Sequence, residues 1–272
     1  ITFTNKTDTG LTITGRYDVD GDAAAVDESS ITIAGGFGSI RLGQDDGAED
    51  AFGVNEGDLI AEEGAYAVGS ASILTNAGET GNTNGNKITY FTPAMGALKA
   101  GISFTDSGSN HSSSTDRTSY GASYNMAFDG GSALVEYNQG STDSATAGGN
   151  STDHVNYGVT VTMGAISAIV SAATREDGTS DEEATGVALK YDLGGGMYVA
   201  GSVTSADDSA QKATSGQAEE YKSTVAEVGY TVAPGLTAKV TYIDYDYKRG
   251  ANTLAASDDN GSATKLTLTA SF

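Results

Sequence analysis

Hydrophobic residues recur at every second position through most of this chain. In 117–128, Tyr120, Ala122, Tyr124, Met126 and Phe128 fall on one parity, and Arg117, Ser119, Gly121, Ser123 and Asn125 on the other. In 97–105, Leu98, Ala100, Ile102 and Phe104 alternate with Lys99, Gly101, Ser103 and Thr105. In 185–193, Val187, Leu189, Tyr191 and Leu193 alternate with Ala188, Lys190 and Asp192. A period of two belongs to a β-strand with unlike faces. The same reading predicts fifteen strands, near 1–6, 11–19, 29–35, 38–44, 87–93, 97–105, 117–128, 131–139, 154–163, 165–175, 185–193, 196–205, 222–232, 236–248 and 263–272. Residues 154–174 carry no Asp, Glu, Lys or Arg, yet their alternation around Met163–Gly164 predicts a hairpin and not a membrane helix.

The connections alternate in kind. Short glycine-containing turns fall at Lys6–Gly10, Gly35–Gly38, Pro93–Gly96, Asp129–Gly131, Met163–Gly164, Leu193–Gly196 and Ala233–Gly235. Between the hairpins come long loops rich in Asp, Ser, Thr, Asn and Gly, such as 140–153 and 206–221. No shift in composition marks a boundary, so 1–272 reads as one domain, with 45–86 its longest connection.

Two environments give strands one apolar and one polar face: a soluble sandwich, or a transmembrane barrel with lipid outside and water within. Three features favour the barrel. Tyr120 and Phe128 share a face eight residues apart, about 20 Å of height at ~3.3 Å per residue and a tilt of roughly 40°, close to the apolar band between two aromatic girdles. The opposite face is crowded with Gly, Ser and Thr and holds single Arg and Lys residues, which suits a filled channel. The alternation of short turns and long loops persists throughout, whereas sandwiches mix their connections. The prediction is therefore an all-β, antiparallel, up-and-down transmembrane barrel. Closure pairs a last strand with a first, which accounts for an alternating final segment at 263–272.

Charge narrows the partners. The 36 acidic residues far outnumber the 14 basic ones, a net charge of −22 that opposes nucleic-acid binding. The absence of cysteine removes disulfides and thiolate metal sites. The chain opens Ile-Thr-Phe without a charged-then-apolar leader, which implies that any signal peptide has been removed.

The segments "ITFTNKTDTGLTITGRYDVD" and "SSITIAGGFGSIRLGQDDGAEDAFG" resemble the early strands of the alphaproteobacterial general (trimeric) porins of Gram-negative outer membranes. There the family shows a Thr-Asp-(Ser/Thr)-Gly-Leu turn, a "GGFG"-like turn, an "LG" strand end and an acidic loop containing "FG", in that order. The likeness covers roughly the first 60 residues well. The ending Leu266, Leu268, Ala270, Phe272 is similar to the final strands of outer-membrane proteins and implies an assembly signal at Phe272. The resemblance also implies sixteen strands in the complete protein, with the first strand and loop absent from these 272 residues. Residues 45–86 would then be the third long loop, folded into the lumen. It further implies a homotrimer in outer-membrane lipid.

That loop is the most informative segment for function. Its acids Asp45, Asp46, Glu49, Asp50, Glu56, Asp58, Glu62 and Glu63 are predicted to line a constriction opposite Arg16, Arg41 and Lys99, which lie on the polar parity of early strands. "DLIAEEGAYAV" is apolar enough to lie against a wall as a short helical turn. Asp45, Asp46, Glu49 and Asp50 form a candidate calcium cluster, while "DVDGD" at 18–22 lacks the offsets of an EF-hand. His111 and His154 border long loops with no catalytic or metal pattern around them. The expected function is passive diffusion of small hydrophilic solutes and ions through a cation-preferring channel, without enzymatic activity or a required cofactor. The alternative is a calcium-dependent, acidic, β-rich surface binding protein.

Overall fold

The computed structural model describes residues 1–19, 26–60, 86–105, 116–143, 150–178, 180–209, 218–248 and 259–271. All fifteen expected strands are present: β1 Thr2–Lys6, β2 Thr12–Val19, β3 Val26–Gly35, β4 Gly38–Gln44, β5 Asn86–Phe91, β6 Leu98–Thr105, β7 Arg117–Phe128, β8 Gly131–Thr142, β9 Thr152–Met163, β10 Ile166–Asp177, β11 Asp181–Gly194, β12 Met197–Asp208, β13 Glu219–Ala233, β14 Leu236–Lys248 and β15 Asp259–Ala270. They form one antiparallel sheet in which spatial order follows sequence order. A four-residue helix, α1 (Ala48–Ala51), and a 3-10 turn at Glu56–Asp58 follow β4. Glu62, Glu63, His111 and Phe272 lie outside the described residues.

Burial is inverted relative to a soluble protein. Tyr120, Tyr124, Met126 and Phe128 are exposed on β7, as are Val187, Leu189, Tyr191 and Leu193 on β11. Arg117, Ser119, Ser123 and Glu182, on the opposite faces of the same strands, are buried. An apolar face of this extent facing outward is satisfied by lipid and not by water. No helix among the described residues is long and apolar enough to cross a membrane.

Several ladders run further than the apolar pattern predicts, chiefly at their long-loop ends. β11 begins at Asp181, β12 runs to Asp208 and β13 begins at Glu219. In the added rungs Glu183 faces Asp207, Asp207 faces Glu220, and Glu220 faces Lys248, the last pair at 3.1 Å. Apolar alternation stops where the outer face leaves hydrocarbon, whereas backbone pairing does not depend on what the side chains face. The same extension leaves only residues 178–180 between β10 and β11, where a longer loop was expected. At the other end the turns are tight. Gly38 has φ +100°, and a Cβ there would collide with the Phe91 carbonyl and the 92–93 backbone, so no other residue fits.

The chain divides into two compact units. One comprises Ile1–Gly53, Glu79–Asn125 and Glu136–Val155; the other comprises Val54–Gly78, Met126–Val135 and Asn156–Phe272. In the first, inner-face residues stand opposite one another in rows: Arg16, Ser30, Gly43, Lys87, Thr105 and Arg117 form one. The adjacent row is Thr14, Thr32, Arg41, Thr89, Ser103 and Ser119. In the second unit the inner face carries two apolar patches, one of Ile169, Ala188, Val225 and Ile243 and one of Ala173, Ala184, Ala206, Tyr221 and Tyr247.

Candidate functional site

The site begins where β4 ends and the chain turns onto the inner face. In the first unit, Asp45 is buried and pairs with Arg41 at 2.8 Å and Arg16 at 3.7 Å, while the Ser30 hydroxyl donates to it at 2.5 Å. Arg16 also pairs with Glu28 at 2.5 Å and Asp18 at 3.1 Å. The Ala48 N–H, at the start of α1, donates to the Ser103 hydroxyl at 2.6 Å. One turn of helix has no intrahelical partner for such a donor, so the wall supplies it.

Glu49 and Arg117 form the central tie of this half, with Nε 2.9 Å from Oε1. Both are buried, at 1% and 5% exposure. The Arg117 guanidinium also donates to Thr142 Oγ1 at 2.5 Å and to a ring nitrogen of His154 at 2.8 Å. A buried charge without such partners would cost several kcal/mol, and here the fork is occupied on each arm. Phe52 lies over Gly101 and Gly121, where an added Cβ would approach its ring to 3.1 and 2.7 Å. The Asn138 carboxamide donates to the Phe52 carbonyl at 3.3 Å.

In the second unit the segment continues as Val54–Ile60. The Asn156 carboxamide accepts from the Val54 N–H and donates to the Val54 carbonyl. Asn55 caps the 3-10 turn, its side chain accepting from the Gly57 N–H at 2.6 Å while Asp58 accepts from the Asn55 N–H at 3.0 Å. Glu56 is buried: Thr204 Oγ1 donates to its carboxylate, as does Ser171 Oγ at 3.4 Å. Gly186 sits directly beneath, and any side chain there would occupy the space of the Glu56 carboxylate. Val54 and Ile60 complete the patch around Ile169, with Leu59 packed against it. Each such side chain removed from water contributes about 1.5–3 kcal/mol, which accounts for apolar residues on this part of the inner face.

Asp50 and Asp58 are exposed, and Asp46 is half-buried. The Asp50 carboxyl is pushed up to about 6, first by partial loss of hydration, then by the Asp46 and Glu49 carboxylates, with Arg41 acting against them. Asp58 is also raised by loss of hydration, opposed by the Asn55 N–H.

Of the segment expected to line a constriction, residues 45–60 are described and bond to inner-face side chains, Leu59 and Ile60 pack on the apolar patch, and residues 61–85 lie outside the described residues. The roles within it differ from expectation. Asp45, Glu49 and Glu56 are buried anchors and present no carboxylate to solvent. Among the described acids of the loop, Asp50 and Asp58 are the exposed ones, with Asp46 half-buried. Arg16 and Arg41 both pair with Asp45. Lys99 stands opposite Ser123, away from them, three inner-face positions nearer the short turn than Thr105. Glu28, Lys87, Arg117, Asn138 and Asn156 were missed. Lys87 and Arg117 were legible from parity, since both share a face with hydroxyl residues and flank Thr105 in one row.

For a cation, the carboxylates that converge are Glu28, Asp45 and Asp46, with ligand oxygens within 4.8 Å of one another. That differs from the expected set of Asp45, Asp46, Glu49 and Asp50. Arg16 and Arg41 already supply positive charge to Glu28 and Asp45, and the Arg117 ion pair draws Glu49 away.

An up-and-down sheet with an outward apolar face, a polar inner face and a loop tied to that inner face is the arrangement of a transmembrane β-barrel channel. The sequence profile of the Gram-negative porins matches residues 1–253, and the chain belongs to that family. Solved structures agree. An anion-selective porin from Comamonas acidovorans superposes with a TM-score of 0.65 at 16% identity, over 97% of this chain and 85% of that one. Another porin gives 0.66 at 18%, over 98% and 90%. The trimer form of OmpT from Vibrio cholerae gives 0.59 at 13%, over 97% and 89%. No curated protein matches the sequence. Likeness at these identities establishes the fold. With the family it makes the chain an outer-membrane diffusion channel and not an enzyme, and the alternative of a calcium-dependent surface binding protein finds no support.

Proposed function

We propose that this channel passes small hydrophilic solutes and ions, prefers cations, and works as a homotrimer in the outer-membrane lipid. The observation that carries the preference is the pairing at the loop. Around the loop in the first unit, the carboxylates Asp18, Glu28, Asp45, Asp46, Glu49 and Asp50 outnumber the cations Arg16, Arg41, Lys87 and Arg117. All three arginines are engaged by acids: Arg16 and Arg41 by Asp45, and Arg117 by Glu49. The charge left presented to water is negative, at Asp50 and Asp58, so mobile cations are enriched there. The Comamonas acidovorans porin is anion-selective on the same fold, so selectivity follows from these side chains and not from the barrel. The trimer form solved for the Vibrio cholerae protein supports trimeric assembly, since an outward apolar wall serves equally against lipid or a neighbouring copy.

The test is the reversal potential of purified protein in a planar bilayer under a KCl gradient. The parent channel reads toward the potassium potential at ~0.1 M salt, and the reading decays toward zero as the screening length shrinks to about 3 Å at 1 M. Asp50→Asn with Asp58→Asn moves it toward zero at low salt. A parent channel that favours chloride, or an amide variant with an unchanged potential, overturns the preference.

A further inference from the structure

The outer face of the second unit changes character over three successive rows where β11, β12 and β13 leave the apolar band. Val187, Val203 and Thr224 stand opposite one another in the first row, and Thr185, Ser205 and Lys222 in the second. Glu183, Asp207 and Glu220 form the third, nearest the long loops. All are exposed except Glu220, which is half-buried. Adjacent rows are about 5 Å apart along the barrel axis, at ~3.3 Å per residue and a tilt of roughly 40°.

Two hollows meet at Lys222. The lining of the lower one, about 290 Å³, includes Thr185, Val187, Val203 and Thr224. That of the upper one, about 370 Å³, includes Asp207, Ser209 and Glu220. Ser205 and Lys222 border both. Beneath the lower hollow the next outward row runs Leu189, Gly201, Ala226 and Tyr242. Two small residues between two large ones leave a trough that leads down into the apolar band.

Among the described residues, the Lys222 ammonium and the Asp207 carboxylate have no hydrogen-bond or ion-pair partner, whereas Glu220 is held by Lys248 at 3.1 Å. A simple anion gains little at Lys222, because Asp246 stands opposite it and Asp207 lies one row above. A headgroup that carries its own cation next to its phosphate meets no such opposition. Reading up the wall, the order is apolar trough, ammonium, carboxylate. Its complement is acyl chain, phosphate, ammonium.

We propose that this groove binds a lipid with a phosphoethanolamine headgroup. The acyl chain lies in the trough, the phosphate accepts from Lys222 Nζ and the Ser205 hydroxyl, and the lipid ammonium donates to Asp207. The inference rests on the lipid-facing wall of the channel reading above and is independent of its ion preference.

The test is native mass spectrometry of the detergent-solubilised protein offered equal amounts of phosphatidylethanolamine and phosphatidylglycerol with the same acyl chains. The parent retains the ethanolamine lipid about 3–5-fold better, as one added surface ion pair allows. Lys222→Gln lowers retention of both lipids by a similar factor. Asp207→Asn lowers retention of the ethanolamine lipid alone, so the preference disappears. Equal retention of the two lipids by the parent, or a preference for phosphatidylglycerol, overturns the proposal. So does an Asp207→Asn variant that keeps the parent's preference, or a Lys222→Gln variant that retains both lipids as the parent does. The parent competition needs no variant, so the proposal is decided even if a substitution prevents assembly. Protein that stays soluble without detergent overturns instead the lipid-facing wall on which the site is built.

Discussion

Asn156 holds Val54 by both of its backbone polar groups. The Val54 N–H donates to Asn156 Oδ1 at 3.0 Å, and the Val54 carbonyl accepts from Nδ2 at 2.9 Å. One carboxamide thus does for a loop what a neighbouring strand does in a ladder, and Asn156 remains fully buried while doing so.

Asn156→Leu leaves both Val54 groups without that partner, at about 1–3 kcal/mol for each buried group. The strand ladder does not pass through this contact, so the loss falls on the loop. Limited proteolysis in detergent should cut the loop about 30-fold faster or more while β-structure by circular dichroism is retained. Asn156→Asp, which keeps the acceptor and loses the donor, should fall between. Equal cleavage of parent and leucine variant would show that Asn156 does not anchor the loop.

Arg117→Met strands Glu49 in a buried site, a loss of about 3–5 kcal/mol. Adding Glu49→Gln should restore most of it, because a buried pair replaced on both sides is often near neutral. Urea or heat titration in detergent measures this. A double variant no more stable than the single would show that the Glu49–Arg117 contact is incidental.

Gly121→Ala places a methyl group 2.7 Å from the Phe52 ring. Overpacking of this kind costs about 1–3 kcal/mol, and the ring moves more readily than the β7 backbone. The loop should shift off the wall and single-channel conductance should fall. Phe52→Leu in the same chain should recover it. Unchanged conductance in the glycine variant would mean that the ring relaxes in place.

The raised Asp50 carboxyl gives selectivity a pH dependence. The group is neutral below about 6 and charged above it. Lowering the pH from ~7 to ~5 therefore removes negative charge at the loop, and cation preference should weaken through about pH 6. A carboxyl at its ordinary value would show no step in that range. Asp50→Asn should flatten the step, and an equal step in that variant would assign the titration elsewhere.

Strand number and facing were legible in the sequence because a period of two is imposed residue by residue by the contrast between lipid and water. Tyr120, Leu189 and Ile102 had to face out whichever strands lay beside them. The acidic loop was legible as well, from its length and charge. The ends of the strands were not, because Glu183, Asp207 and Glu220 pair beyond the apolar band, where nothing in the pattern distinguishes a ladder from a loop. Nor were the roles of the loop acids. Asp45, Glu49 and Glu56 have the same chemistry as Asp50 and Asp58, and local sequence does not separate an anchor from an acid presented to water. Register decided it. Setting Lys87, Thr105 and Arg117 in one row puts a cation under Glu49, and setting Ser171, Gly186 and Thr204 in another leaves a hydroxyl-lined space for Glu56. Those partners come from strands 38–148 positions away, so only the folded sheet brings them to the loop and determines which charges remain for a passing ion.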